Sequence, residues 1–285
     1  MKAIKGLSLF GGVIILVSAC FNPPEFPVEP KITYESIYFG ETPNDQSLGD
    51  SIVLSINFKD GDGDLGLDGS DPKYSQNPFQ PSNLFLAKDG AIVPVALSQH
   101  WDDIPYYFID VEEKQGKLVT LKTRDQTAYN FLPAYSLGSC FYIADTIIMV
   151  DEQDAAILDI NTQNIIDTMH SQTNPSIYVL KDTFYIEANP NYYNITVDFL
   201  IKNGDSYDVF DWGTCSSAYN ARFPVLSDKD KSPLEGVLRY SLKSSGFRIM
   251  FSTKTLKLRI QIKDRLLHSS NIIETPDFTL DKIRR

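Results

Sequence analysis

The sequence predicts an all-β protein: two β-sandwich domains with a connector of mixed structure between them. Three observations carry that expectation. Apolar and polar residues alternate over several short stretches, the spacing that buries one face of a strand. Gly, Asn and Asp punctuate those stretches at short intervals, as sandwich turns require. Tyr and Phe number 15 and 17 among 285 residues while Ala is scarce, which favours strands over helices. With 42% hydrophobic residues there is ample material for a core.

The first segment has another pattern. Lys2 and Lys5 precede an apolar run from Leu7 to Val17, and the small residues Ser18 and Ala19 precede Cys20. That order is the charged, apolar, small-residue order of a secretory signal, and the run is too short for a stable membrane span. Val17-Ser-Ala-Cys20 resembles the bacterial lipobox. The likeness implies cleavage after residue 19 and a diacylglycerol and palmitate anchor on Cys20. Residues 20–31 hold four prolines after that cysteine and are expected to be an extended tether. Removing Lys2 and Lys5, and no acid, takes the formal charge from −11 to −13. Such a polyanion has no basic footprint for nucleic acid, and anionic head groups repel it. The expected link to a membrane is therefore the lipid.

The first sandwich is expected over 32–130. Ile52, Leu54, Ile56 and Phe58 share one face of a strand, and a Gly/Asp cluster follows at 60–69. Short strands around Leu84 and from Ala91 to Leu97 flank Asp89-Gly90, a strong hairpin signal. Tyr106 to Val111 and Lys117 to Lys122 read as a further pair turning at Gln115-Gly116. The stretch 131–175 reads as a connector or insertion, with a short helix conceivable where Ile157, Ile160 and Ile165 fall in phase; its β-branched residues weaken that reading. The second sandwich is expected over 176–285. Ile177 to Leu180 and Thr183 to Ile186 flank a turn at Lys181-Asp182, and Ile195, Val197, Phe199 and Ile201 alternate as the first strand does. Ile52 to Asp62 lies over Ile195 to Asp205 with matching turn chemistry, and Leu118 to Lys122 lies over Arg259 to Lys263. Two copies of one sandwich would explain both likenesses.

Four segments are similar to a recurrent group of Bacteroidetes-type envelope lipoproteins. They are Phe58-Lys-Asp-Gly-Asp-Gly-Asp-Leu-Gly-Leu67, Asn194-Ile-Thr-Val-Asp-Phe-Leu-Ile-Lys202, Arg222-Phe-Pro-Val-Leu226 and Lys263-Asp-Arg-Leu-Leu-His-Ser-Ser-Asn271. The resemblance implies an envelope lipoprotein with immunoglobulin-like β domains and brings no activity with it. Phe21 after the cysteine, by analogy with sorting rules, suggests the outer membrane. Only Glu25 and Glu29 stand nearby as acids, which favours a periplasm-facing position over the cell surface.

The acidic loop from Asp60 to Asp71 is the best candidate site. Counted from Asp60, acids fall at positions 1, 3, 5, 9 and 12 (Asp60, Asp62, Asp64, Asp68 and Asp71) with glycines between them. Alternating acids can wrap oxygens round one hard cation, and calcium is the expected ion. Two departures separate it from an EF-hand: Leu65 stands at position 6, and Asp71 is one methylene shorter than the usual glutamate. A hydrophilic hairpin tip is the plainer alternative, since Asp and Gly favour turns anyway. The equivalent turn Asn203-Gly204-Asp205 lacks the acids, so one site is expected.

Cys140 and Cys215 remain once Cys20 is assigned to lipid. In an oxidising compartment they can form a disulfide, or each can pack as a small hydrophobe. His100, His170 and His268 have no zinc-ligand spacing, His100-Trp-Asp-Asp103 reads as a loop, and His268 is expected at a surface or half-buried position. Asp264 to Asn271 reads as a structural turn closed by Asn/Asp side chains. No catalytic serine elbow, metalloprotease helix or phosphate loop occurs. No catalytic residue is nominated. The expected role is non-catalytic binding or assembly, with an envelope protein, peptide or glycan as partner. The alternative is an enzyme acting on envelope polysaccharide through an acid pair that the sequence does not single out.

Overall fold

The computed structural model describes residues 25–40, 49–98, 107–110, 116–124, 140–151, 165–169, 177–213, 218–227 and 232–285. The signal segment, Cys20, His100 to Asp103, His170, Cys215 and the expected helix region before Ile165 lie outside them. The fold is all-β. In chain order the strands are β1 (Lys31–Gly40), β2 (Asp50–Asp60), β3 (Ser82–Lys88), β4 (Ala91–Ser98), β5 (Tyr107–Asp110), β6 (Lys117–Leu118), β7 (Phe141–Asp151), β8 (Ile165–Met169), β9 (Ile177–Ala188), β10 (Ile195–Asn203), β11 (Ser206–Val209), β12 (Leu234–Ser244), β13 (Leu256–Ile262) and β14 (Ile273–Glu274). Two short helices, α1 (Leu121–Arg124) and α2 (Phe247–Phe251), accompany them. Among the described residues no helix is long and apolar enough to cross a membrane.

Seven of the strands make one sandwich. One antiparallel sheet runs β1-β2-β12 and the other β11-β10-β13-β14. Their alternation sets which face is buried. Ile52, Leu54 and Ile56 on β2, Ile195, Val197 and Phe199 on β10, and Leu256, Leu258 and Ile260 on β13 are at most 1% exposed and belong to one core. Each such side chain contributes roughly 1.5–3 kcal/mol by leaving water. Phe199 anchors the centre, with ring centroids of Trp212, Tyr219, Phe251 and Phe247 at 5.1–5.8 Å.

This arrangement corrects the expected partition at 32–130 and 176–285. Strands from both stretches share one hydrophobic core, and β12 pairs with β2 along its whole length, from Leu234↔Asp60 to Ser244↔Asp50. The likeness of Ile52–Asp62 to Ile195–Asp205 has a physical reason other than duplication. The two strands line opposite walls of the same core, and each buries alternate residues against it.

The chain between β2 and β10 forms the third sheet, in the order β6-β3-β4-β5-β7-β9-β8. It curls on itself: β9 pairs back onto β3 through Ser82↔Ala188, Asn83↔Glu187 and Leu84↔Ile186. Its interior holds Leu84, Leu86, Val95, Ile148, Val150, Leu180, Phe184 and Ile186. The expected connector at 131–175 is therefore, where described, two of its strands, β7 and β8. The Asp89-Gly90 hairpin occurs as expected, both residues at positive φ (51° and 78°). The turn expected at Lys181-Asp182 does not occur. β9 runs straight through it because β7 pairs with it continuously from Asp151↔Ile177 to Phe141↔Glu187, and that ladder overrides local turn preference. Nor do the segments around Gln115-Gly116 pair with each other: β5 lies between β4 and β7, and β6 lies on β3. The curled sheet leaves and rejoins the sandwich at one neck. There the Asn189 backbone N–H donates to Pro81 O at 3.0 Å, and its Nδ2 donates to Pro78 O and Gln80 O at 2.8 and 2.7 Å.

Candidate metal centre

β2 and β13 belong to opposite sheets and end at the same end of the sandwich. β2 ends on Asp60, and two residues beyond β13 stands Asp264. The loop after Asp60 is laced to the chain after β13: Leu65 bridges Asp264, and the Arg265 N–H donates to Asp64 O at 3.3 Å. On its other side Leu226 N–H donates to Leu65 O at 3.2 Å, and Leu67 N–H to Phe223 O at 3.0 Å. Asn194 holds Phe223 in turn, accepting from its N–H at 2.8 Å and donating to its carbonyl at 3.0 Å. Segments 58–67, 194–202, 222–226 and 263–271 thus meet around one loop. Gly63 (φ 71°) and Gly66 (φ 98°) let it run that close: a Cβ on either would collide with the Ser232 or Pro224 carbonyl.

This lacing gathers the carboxylates of Asp60, Asp62, Asp64 and Asp264, whose candidate ligand oxygens all lie within 4.8 Å of one another. Asp60 is 0% exposed and Asp264 is 1% exposed. Neither oxygen of Asp60 has a hydrogen-bond partner, and Asp62 and Asp64 each bury an unpartnered Oδ1. An unpaired buried carboxylate is costly, and several together are costlier. The protonation equilibria record that cost. Burial, then the charges of Asp62, Asp64 and Asp264, push Asp60 up to about 7 against the opposing Asp64 N–H. Burial, then Asp264 and Asp62, push Asp64 up to about 6, with Arg265 opposing. Burial raises Asp264 as well, and His268 opposes it. His268 donates its backbone N–H to Asp264 Oδ1 at 2.8 Å, and its Nδ1 lies 2.8 Å from Oδ2.

An all-carboxylate set suits a hard divalent cation and not zinc or copper, which prefer nitrogen and sulfur. The span fits as well, since ligands on opposite sides of a calcium ion stand about 4.8 Å apart at calcium–oxygen distances of about 2.4 Å. The residues that could hold such a cation are Asp60, Asp62 and Asp64 from the loop, and Asp264 from the far segment.

Of the five loop acids nominated from the sequence, the structure brings three together and employs two elsewhere. Asp68 accepts from the N–H and hydroxyl of Ser70 at 2.9 and 2.7 Å. Asp71 caps the short turn Pro72–Ser75 through the Lys73 N–H at 3.1 Å and pairs with Lys73 Nζ at 2.8 Å. These donors hold both carboxyls below the usual range, Ser70 for Asp68 and Lys73 for Asp71. The EF-like count fails because the chain turns away at Gly66 to meet residues 223–226. Asp264 was missed as a ligand because it is remote in sequence. The only signal for it was its membership of the Lys263–Asn271 segment. That segment closes a turn as expected, with the Leu267 N–H on Asp264 O at 3.2 Å. Cys140 is half-buried at the start of β7, while its expected disulfide partner Cys215 and the lipidation residue Cys20 lie outside the described residues.

A separate cleft of about 670 Å³ lies between sandwich and curled sheet, with Tyr193, Asp198, Trp212, Gln261 and Lys263 on its walls. Three of its polar groups are engaged: Asp198 accepts from Arg259 at 2.8 Å, Gln261 donates to Ser270 O, and Lys263 donates to Asn191, while the Trp212 Nε1–H has no partner.

No family model, curated protein or solved structure matches the chain.

Proposed function

We propose that the chain is a lipid-anchored protein of the bacterial envelope with a non-catalytic binding or assembly role, and that calcium stiffens the anchor-proximal end of an immunoglobulin-like sandwich. One observation carries the calcium reading: four carboxylates converge on one point, and the most buried of them, Asp60, has no partner for either oxygen. The strand order supports the immunoglobulin-like reading. Numbered within the sandwich alone, the strands run 1-2-5 in one sheet and 4-3-6-7 in the other, a two-sheet Greek-key arrangement. The anchor reading rests on Val17-Ser-Ala-Cys20 and the proline-rich stretch after it. An outer-membrane, periplasm-facing position and an envelope protein, peptide or glycan as partner are part of the same proposal.

A non-catalytic role is favoured over polysaccharide hydrolysis by where the acids are. Hydrolysis needs two carboxyl groups flanking a substrate in an open cleft. Here Asp60 and Asp264 are buried at the sandwich end, and the two acids that line the open cleft are engaged, Asp198 with Arg259 and Asp211 with the Gly213 N–H.

Thermal melts with excess calcium and with excess chelator test the calcium reading. Calcium at a hundredfold over its dissociation constant adds about 2.7 kcal/mol, a rise of about 5–10 °C for a domain of this size. Equal melting temperatures in the two conditions would end that reading. Fractionation of Cys20→Ser protein tests the anchor, and release from membranes is the expected result.

A further inference from the structure

Residues 25–30 do not hang free of the body. Before β1 begins, residues 25–30 pass directly over the acidic loop. The Gly61 N–H, next to Asp60, donates to Pro27 O at 2.8 Å. The approach is so close that a Cβ on Gly61 would strike the Phe26 carbonyl and stand 2.7 Å from that of Pro27. Lys59 Nζ sits 4.9 Å from the ring centroid of Phe26. Pro30 is buried. At the segment's end, Ile32 exchanges two 2.9 Å hydrogen bonds with the Asn271 side chain.

We infer that cation binding at the Asp60/Asp62/Asp64/Asp264 cluster clamps residues 25–30 onto the sandwich, so that calcium sets the free length of the tether between Cys20 and the body. This rests on the calcium reading above. The physical link is Gly61. Without a cation, the carboxylates on either side of it, Asp60 and Asp62, repel each other and Asp64, and the loop loses the geometry that aims the Gly61 N–H at Pro27. With the cation, the loop is fixed and the docking surface is formed. Reciprocity follows, since a segment that docks better on the loaded loop must tighten the loop's hold on the cation by the same factor.

Hydrogen exchange of the full-length protein in detergent micelles, in excess calcium and in excess chelator, tests the clamp. Calcium is expected to slow exchange at the loop amides 61–65 and at the Phe26, Val28 and Glu29 amides together, by about tenfold, a usual size for coupled sites. Asp60→Asn should abolish both effects. Phe26→Ala, outside the cluster, should free the tether amides in calcium while leaving loop protection in place. If calcium slows the loop amides but leaves residues 26–29 unchanged, the clamp is overturned and the calcium site stands. If it slows neither, the calcium reading falls and takes the clamp with it.

Discussion

His268 grips both oxygens of Asp264, its backbone N–H on one at 2.8 Å and its Nδ1 at 2.8 Å from the other. The grip fixes the one carboxylate of the cluster that comes from outside the acidic loop. His268→Ala leaves Asp264 without its side-chain partner and removes an influence that opposes the burial-driven rise of its pKa. Loss of such an orienting partner costs about 10–100-fold in metal affinity. Calorimetric titration with calcium should show a weaker dissociation constant within that range, with one ion still bound per chain.

Asp60→Asn acts with opposite signs in the two states. Without calcium, Asp60 contributes a desolvation cost and repulsion that the Asp64 N–H offsets only in part. Removing its charge should raise the melting temperature in chelator by about 2–4 °C for each kcal/mol relieved. In calcium the same variant should melt below wild type. A variant less stable than wild type in both conditions would mean that Asp60 is held by something other than electrostatics of the cluster.

The pH dependence of the metal-free protein follows from the same groups. Asp60 titrates at about 7 and Asp64 at about 6 in the folded chain, both above the ordinary 3.8. A carboxyl whose folded value is raised binds its proton more tightly folded than unfolded. Its contribution is complete below about pH 4 and is lost as pH rises towards 7. In chelator, melting temperatures should therefore fall from pH 5 to pH 7. The calcium-induced rise should grow over the same interval, because the ion must displace those protons.

Asp68→Asn and Asp71→Asn separate the folded site from the linear loop. Asp68 is engaged with Ser70 and Asp71 with Lys73. Calcium affinity should be unchanged in both variants, while Asp64→Asn in the same assay loses it. A tenfold loss in Asp68→Asn would restore the EF-like arrangement.

Much of the sandwich was legible in the sequence because its signals are local. Alternation at Ile52–Phe58 and Ile195–Ile201 marks strands with one buried face, and Asp89-Gly90 marks a hairpin through its positive φ angles. Three of the four cluster acids were legible for the same reason, since they lie within five residues. What alternation cannot show is which strands share a core. β2 looks the same whether it faces a neighbouring copy or β10, so one sandwich interrupted by a long insertion read as two. Asp264 and His268 were hidden because the lacing of Leu65 to Asp264 has no echo in spacing. β9 was hidden because eleven ladder pairs with β7 outweigh one Lys-Asp turn signal.

The shared core makes its own prediction. Phe199→Ala removes the ring at the centre of the aromatic cluster and should cost about 3–5 kcal/mol. Because one core joins both sheets, exchange should quicken together in β2, β10 and β13. Loosening confined to residues 195–262 would restore two separate cores.

The neck at Asn189 has a consequence for how this molecule can be taken apart. Pro81 and Asn189 are one hydrogen bond from each other, so the chain that departs at the first returns at the second. Among the described residues none between them shares a rung with the sandwich, so that stretch could be excised and a few residues spliced across the gap. The curled sheet is, in that sense, cargo mounted on a chassis, and another payload of matching stem could be grafted in its stead.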